Sequence, residues 1–314
     1  MYDINTIKSV FEKDMNKNAR AVHKFENVEN NSVYKIETDS HPYIFKIYNN
    51  SDWPEDGKLL LVDRLLTEHG IPHAKIFVYN REKNIFPAGY LIEECLPGVT
   101  ADRIKLSKNE LISIFEKLGA LVSQLHKIKM AGYGYTGTGV ALWSTFSEFM
   151  YDSMGDNKAN LLAHNITDEE ELERIGREFW DRLKVCDKYP PVLCHTDLST
   201  KNILLHNGNI ALIDWDDVYS LPWLHDIAEL TFWLKREYGN EAEIYRNAFF
   251  NHYEPEHNLS DFYETEPVLH ARIGLGGLNH FIGKPQEQKI KNIIKESFEI
   301  CGMKPLKFLL KPNI

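Results

Sequence analysis

The sequence predicts an α+β fold with two lobes, a small N-terminal lobe built on an antiparallel β-sheet and a larger, mostly helical C-terminal lobe. Two β-rich runs, Ser32–Glu37 and Tyr43–Tyr48, flank a turn signal at Asp39–Pro42, which is the pattern of an antiparallel hairpin. After residue 107, apolar residues recur mainly at helical spacing. A chain of 314 residues is long enough to form two lobes with sizeable cores.

The helices are predicted from apolar periodicity and capping signals. Residues 3–16 predict a short amphipathic helix ahead of the hairpin, and residues 55–69 should contain a second helix. Ser107–Glu110 is a capping box that opens a long helix with a continuous apolar stripe. Residues 167–184 predict a further capped helix whose glutamates form a solvated face.

The composition of the chain argues against several classes of protein. The net charge is −10, from 36 basic and 46 acidic residues, and without a basic cluster this argues against a nucleic-acid partner. There is no run of about eighteen apolar residues to span a membrane, and residues 1–15 lack the apolar core of a signal peptide. The four cysteines form no CxxC pair, as expected of reduced thiols. We therefore expect a cytoplasmic protein that binds neither nucleic acid nor membrane.

The residues with the clearest chemical meaning lie between positions 192 and 230. Asn202 follows Asp197 by five residues, and Asp214 follows a second apolar run twelve residues later. Phosphoryl-transfer sites of kinases carry an aspartate, an asparagine and a second aspartate in this pattern. Asp197 would orient the acceptor hydroxyl and take its proton, while Asn202 and Asp214 would bind a metal ion.

The chemistry of a nucleoside triphosphate explains why these residue types are needed. Mg²⁺ held between phosphates prefers hard oxygen ligands and takes few protein carboxylates beside phosphate oxygens and water. The amide oxygen of Asn202 and the carboxylate of Asp214 suit this role, so Mg²⁺ and ATP or GTP are expected. Each residue alone has an ordinary interpretation as a helix cap or a turn residue. The three in register between apolar runs favour a kinase.

These motifs resemble those of the aminoglycoside phosphotransferase and choline kinase superfamily, which has a protein-kinase-like fold. His195–Asp197 is similar to the start of that family's HGDLxxxN signature, with Thr196 in place of the usual glycine. Ile213–Asp216 resembles its IDWE or IDFE element, and His225–Ala228 resembles its (F/Y)DLA element. The resemblance covers most of residues 20–235 and implies a two-lobed, protein-kinase-like fold.

The same motifs argue against a protein substrate. Eukaryotic-type protein kinases carry Asp-Phe-Gly at the second aspartate and Ala-Pro-Glu some twenty to thirty residues later. In this chain eleven residues separate Asp214 from Asp226, which leaves no room for a peptide-docking activation loop. The resemblance therefore implies that the phosphate acceptor is a small molecule.

In the N-terminal lobe, the resemblance indicates which residues would contact the phosphates. The Asn30–Ser32 segment would cover them, and Ser32 is the candidate contact there. Lys46, on the strand that follows, would neutralise the α- and β-phosphates. The alternative is that Lys46 is an ordinary lysine on the solvent face of an antiparallel strand. Kinase lysines pair with an acid on the next helix, and the candidates here are Glu55, Asp56 and Asp63.

Residues 90–98 resemble the family's hinge strand, which ends here in a Pro-Gly turn. In that family, the adenine ring bonds backbone groups of the hinge, so the resemblance implies contacts with the backbone of Glu94 and Leu96. The boundary between lobes would then lie at the hinge. We expect an N-terminal nucleotide-binding lobe over residues 1–93 and a catalytic and substrate-binding lobe over residues 94–314.

Three functions remain open at this point. The first is a kinase that transfers the γ-phosphate of ATP or GTP to a hydroxyl of a small cationic substrate, as aminoglycoside phosphotransferases do. The second is a metabolic kinase of the same fold, acting on choline, ethanolamine, another amino alcohol or a sugar. The third is a non-catalytic nucleotide-binding relative of the spore-coat type. The complete set of Lys46, Asp197, Asn202 and Asp214 argues against the third.

Overall fold

The computed structural model describes residues 2–26, 28, 30–137, 142–164, 166–256 and 258–310. Its helices, in chain order, are α1 (Ile4–Met15), α2 (Lys58–Glu68), α3 (Lys108–Leu125), α4 (Phe146–Asp152), α5 (Met154–Ala163), α6 (Glu169–Leu183), α7 (Trp223–Tyr238), α8 (Ala242–Phe250), α9 (Ser260–Phe281) and α10 (Glu287–Cys301). Its strands are β1 (Ala21–Lys24), β2 (Ser32–Glu37), β3 (Tyr43–Ile47), β4 (Ile76–Asn80), β5 (Tyr90–Glu94), β6 (Val99–Thr100), β7 (Gly134–Tyr135), β8 (Val192–Cys194), β9 (Ile203–His206), β10 (Asn209–Leu212) and β11 (Tyr219–Leu221). Within the described residues, no helix is both long and apolar enough to cross a membrane.

The chain divides into two compact units, and the division does not follow the sequence as two simple halves. The first unit comprises Met1–Ile104, Thr136–Gly139 and Lys201–Asp217. The second unit comprises Lys105–Tyr135, Val140–Thr200 and Val218–Ile314. The first unit thus takes in β9 and β10 from the later part of the chain. The division into residues 1–93 and 94–314 remains a prediction.

The first unit contains the antiparallel sheet that the sequence predicted. Its strand order is β1-β2-β3-β5-β4, and β2 and β3 form the expected hairpin, with Val33 opposite Lys46. Beside this sheet, β10, β9 and β6 form a second, three-stranded sheet. Helix α1 matches the predicted amphipathic helix, and the Asp3 side chain caps it by accepting a bond from the Asn5 N–H. Its buried residues pack into the same hydrophobic core as Phe45 and Ile92.

The second unit is mostly helical, as predicted. Helix α3 begins at the expected capping box, in which the Ser107 and Glu110 side chains bond each other's backbone N–H groups. Helix α6 is also present, but its N-cap is Asp168, whose carboxylate accepts the bond from the Glu171 N–H. A small antiparallel sheet with the order β7-β11-β8 lies in this unit. The sequence did not predict this sheet, because its strands have only two or three residues each.

Candidate active site

Lys46 is held between two carboxylates inside the first unit. Its Nζ lies 2.8 Å from Asp214 Oδ1 and 3.0 Å from Asp216 Oδ2, and only 9% of its side chain is exposed. Burial by itself would lower the pKa of the Lys46 ammonium, but the two aspartates outweigh this effect and raise its pKa well above the usual value. Lys46 is therefore a fixed positive charge at neutral pH, and the solvent-facing alternative is wrong.

The alternation of strand β3 explains why this lysine points inward. Phe45 faces the core under the sheet, so Lys46 faces the opposite side together with Leu91 and Glu93 of β5. A cavity of about 20 Å³ lies on that side, with room for about one water molecule. It is lined by Lys46, Leu59, Val62, Asp63, Leu66, His73, Ala74, Ile76, Leu91, Glu93, Asp214, Trp215 and Asp216. Burial raises the pKa of Glu93 to about 7, although the Lys46 charge opposes the shift.

Asn202 and Asp214 are brought close by the β9–β10 hairpin. Ile203 pairs with Leu212 in the register of the hairpin, and one step further the Ile213 N–H donates to the Asn202 carbonyl at 3.0 Å. Asp214 follows with a φ of 63°, a left-handed conformation that non-glycine residues adopt at a cost. Its side chain is 51% exposed, so its carboxylate remains accessible. Carboxylate and amide oxygens are ligand types that Mg²⁺ prefers, and the role of these two residues as Mg²⁺ ligands remains a prediction.

The expectation that Lys46 pairs with an acid near helix α2 is wrong. Each of the three candidate acids has another basic partner: Glu55 contacts Lys58, Asp56 contacts Arg81 and Asp63 contacts His73. The reason is the sequence at the start of α2, where Lys58 and the leucines at 59 to 61 stand in place of a carboxylate. Asp216 occupies the role instead, and it comes from the turn after β10.

The remaining predicted nucleotide contacts also lie in the first unit. Ser32 begins strand β2, directly after Asn31, whose Nδ2 donates to Asp216 Oδ2 at 3.2 Å. Glu94 ends strand β5, and its backbone N–H donates to the Lys75 carbonyl at 2.8 Å. Leu96 follows in the irregular segment after that strand. Their contacts with a nucleotide remain predictions.

Asp197 lies in the second unit, three residues after strand β8, and its side chain is partly exposed. Its backbone N–H donates to His195 Nδ1 at 3.3 Å. The preceding turn is held by Asp226 of helix α7, which accepts bonds from the backbone N–H groups of His195 (3.1 Å) and Thr196 (2.7 Å). The Asp226 carboxylate therefore fixes the backbone from which Asp197 projects.

Asp226 belongs to a buried hydrogen-bond network that also includes His126 and Tyr253. His126 Nε2 lies 2.9 Å from Asp226 Oδ2, and His126 Nδ1 lies 2.8 Å from the Tyr253 hydroxyl. Burial alone would raise the pKa of Asp226, but the bonds from His126 and from the Thr196 backbone hold it below the usual value. His126 is therefore a packed, hydrogen-bonded histidine. Its partners could not be predicted because they are 100 and 127 residues away in sequence.

The geometry around Lys46, Asn202 and Asp214 agrees with a comparison of the whole chain with known families. A family described as "Phosphotransferase enzyme family" matches residues 22–259. The chain belongs to the phosphotransferase enzyme family. This membership confirms the resemblance to the aminoglycoside phosphotransferase superfamily, and with it a small-molecule kinase fold. No curated protein matches the chain in sequence.

Solved structures of kinases in this family share the fold of the chain at low sequence identity. The aminoglycoside phosphotransferase APH(4)-Ia has a TM-score of 0.68 at 17% identity, with 96% of this chain and 99% of that chain covered. A protein from Thermobifida fusca YX-ER1, provisionally assigned as a fructosamine-3-kinase, has a TM-score of 0.67 at 15% identity, with coverages of 95% and 100%. At these identities the likeness establishes the fold and not the substrate.

Proposed function

We propose that this protein transfers the γ-phosphate of ATP, or of GTP, to a hydroxyl group of a small cationic molecule. The observation that carries the proposal is the position of Lys46, a buried ammonium held 2.8 Å from the accessible carboxylate of Asp214. Phosphoryl transfer depends on positioning and on charge stabilisation of the phosphates rather than on covalent chemistry by the protein. A fixed cation next to a metal-binding carboxylate supplies both.

Asn202 and Asp214 are the residues that would hold Mg²⁺. Their amide and carboxylate oxygens are the donor types that Mg²⁺ prefers, and the backbone bond from Ile213 to Asn202 keeps the two positions adjacent. A bound Mg²⁺ would neutralise charge on the phosphates. Ser32 would contact the phosphates, while the backbone of Glu94 and Leu96 would bind the adenine ring.

Asp197 is proposed as the residue that orients the acceptor hydroxyl and takes its proton. A carboxylate suits this task because the transition state is loose, so the proton leaves late and positioning matters more than basicity. Asp226 supports this role by holding the backbone of His195 and Thr196 on the N-terminal side of Asp197.

Two observations bear on the class of acceptor. The chain has a net charge of −10, which favours a cationic molecule over an anionic one. One structure of a thermostable APH(4)-Ia mutant is a ternary complex with AMP-PNP and hygromycin B, which supports an ATP-dependent kinase of an aminoglycoside-like molecule. A metabolic kinase is the second candidate, because structures provisionally assigned as fructosamine-3-kinases match the fold nearly as well.

The experiment that tests this proposal is a substrate panel with direct detection of product. Purified protein is incubated with Mg²⁺, ATP or GTP, and one acceptor at a time from the aminoglycosides, choline, ethanolamine, amino sugars and fructosamines. Release of ADP or GDP and a mass increase of one phosphate on the acceptor are measured together. Phosphorylation of an aminoglycoside supports the first candidate, and phosphorylation of a metabolic amine or sugar alone supports the second. Nucleotide binding without any phosphorylated product would contradict both.

A further inference from the structure

Asp216 differs from its neighbour Asp214 in how far the protein encloses it. Only 9% of the Asp216 side chain is exposed, against 51% for Asp214, although both contact Lys46. Asp216 Oδ2 accepts from Lys46 Nζ at 3.0 Å and from Asn31 Nδ2 at 3.2 Å. The more exposed carboxylate is accessible to a ligand, whereas the enclosed one is surrounded by protein groups.

Asn31 connects Asp216 to the Asn30–Ser32 segment, which would cover the phosphates. That segment ends at Ser32, the first residue of strand β2, and Lys46 lies on the strand paired with β2. One carboxylate oxygen therefore joins the phosphate-covering segment to the phosphate-neutralising lysine. A change in the position of Asp216 would move both contacts at once.

Lys58 contacts the backbone of Asp216. Its Nζ donates to the Asp216 backbone carbonyl at 3.0 Å, lies 2.6 Å from Glu55 Oε2 and sits 3.7 Å from the centre of the Trp53 ring. The Lys58 side chain is completely buried, and burial lowers its pKa although Glu55 opposes the shift. A lysine at the first position of a helix is unfavourable for the helix dipole, and burying its charge adds a further cost. These costs are offset by specific contacts, among them the bond to the Asp216 carbonyl.

We propose that Asp216 is a positioning residue that holds Lys46 and the Asn30–Ser32 segment in place for nucleotide binding, and that Lys58 anchors it to helix α2. This role rests on the proposed kinase function. The carboxylate partner of Lys46 comes from the turn after β10 instead of from helix α2, whose Lys58 donates to the Asp216 backbone carbonyl. When Asp214 binds metal, Asp216 remains as the carboxylate partner of Lys46.

The test compares nucleotide affinity among carboxylate variants. D216N removes the charge and should raise the Kd for Mg-ADP, measured by calorimetry, about 10- to 100-fold, the size expected when a charge-assisted hydrogen bond is lost. D216E, which keeps the charge, should bind more tightly than D216N. The matched control is D63N, because Asp63 lines the same cavity but contacts His73 and the Ile76 N–H. Its Kd should stay within about 2-fold of the wild type, since no contact of Lys46 is removed.

Hydrogen exchange gives a second readout that does not depend on turnover. The backbone amides of the Asn30–Ser32 segment should exchange faster in D216N than in wild type or D63N. A folded D216N with wild-type affinity and wild-type exchange would overturn the proposal, as would equal weakening by D63N. If D216N does not fold, N31A tests the loop contact alone. It should raise the Kd about 2- to 10-fold and speed exchange, and no change in either would overturn the proposal.

The anchoring role of Lys58 is tested without leaving a buried charge behind. K58M combined with E55Q removes both members of the ion pair, and it should weaken Mg-ADP binding in the same direction as D216N. Unchanged affinity in this double variant would contradict the anchoring role. A wild-type protein that binds Mg-ADP but phosphorylates no acceptor would contradict the proposed function, while the affinities of the variants would still decide the role of Asp216.

Discussion

The backbone N–H of Thr196 donates to Asp226 Oδ1 at 2.7 Å, and Thr196 itself has a φ of 58°. A left-handed conformation costs an L-residue roughly 1–2 kcal/mol, and a β-branched residue is a poor choice for it. The related signature has glycine at this position, which adopts the conformation without that cost. In this chain the buried Asp226 carboxylate holds the turn in a conformation that threonine would not adopt by itself.

Replacing Thr196 by glycine should therefore not destabilise the protein. The substitution should relieve about 1–2 kcal/mol of strain, while the flexibility of glycine should cost about 0.5–1 kcal/mol. The free energy of unfolding should therefore rise by about 0.5–1 kcal/mol. The matched control is T100G, because Thr100 has a φ of −68° and glycine relieves no left-handed strain there. Urea denaturation should show T196G above wild type and T100G below it. A loss of stability in T196G equal to that in T100G would show that Thr196 is not strained.

Two buried histidines should make the protein sensitive to acid. Burial lowers the pKa of His225 to about 4 and that of His270 to about 3. An unfolded chain binds protons at these histidines below about pH 6.5, whereas the folded protein does not until the lower values. Their contribution to stability is therefore complete above pH 6.5 and is lost as the pH falls toward 4.

The double variant H225Q/H270Q tests this dependence. Each histidine contributes up to about 1.4 kcal/mol per pH unit to the slope of unfolding free energy between pH 4 and 6.5. The variant should be less stable than wild type at pH 7 but should lose less stability as the pH is lowered. Free energies from urea denaturation at several pH values give the two slopes. Parallel slopes in the two proteins would contradict a neutral buried state for these histidines.

The sequence predicted the helices, the strands and the charged residues of the candidate site better than it predicted which of these residues contact each other. Lys46 and Asp214 could be found because each lies in a recognisable local pattern, a strand with apolar neighbours and an apolar run followed by an acid. The partner of Lys46 could not be found, because Asp216 is 170 residues away and its contact depends on how the β9–β10 hairpin packs. The same limit applies to Asp226. It accepts a bond from the Thr196 backbone N–H, and a backbone contact cannot be recognised from the type of residue at position 196.

Asp214 is predicted to be required for Mg²⁺-dependent nucleotide binding. D214N is a sharper test than D214A, because asparagine tolerates the left-handed backbone at this position and alanine does not. Loss of a residue that supports the ligands of a metal weakens binding by roughly 10- to 100-fold. In the presence of Mg²⁺, the affinity of D214N for ATP should fall by at least this factor. Without Mg²⁺ the affinities of variant and wild type should converge. D102N, at an exposed aspartate of the same unit, serves as the control. If Mg²⁺ raised the ATP affinity of D214N as much as that of wild type, the assignment of Asp214 as a metal ligand would be wrong.

The last prediction concerns Asp197 and separates an enzyme from a binding protein. D197N keeps the size and hydrogen-bonding reach of the side chain but removes its ability to accept the proton of the acceptor. Proton transfer by a positioned side chain contributes roughly 10²- to 10⁴-fold to a rate, so kcat should fall by about that factor. Nucleotide affinity should change little, because the residues proposed to bind nucleotide and metal lie at other positions in the chain. Steady-state turnover measures kcat, and calorimetry with a non-hydrolysable ATP analogue measures nucleotide affinity. The control is D181N, because Asp181 lies on α6 and its side chain is 74% exposed. Equal loss of turnover and nucleotide affinity in D197N would indicate a structural role, since a residue that acts only on the acceptor affects the first quantity alone.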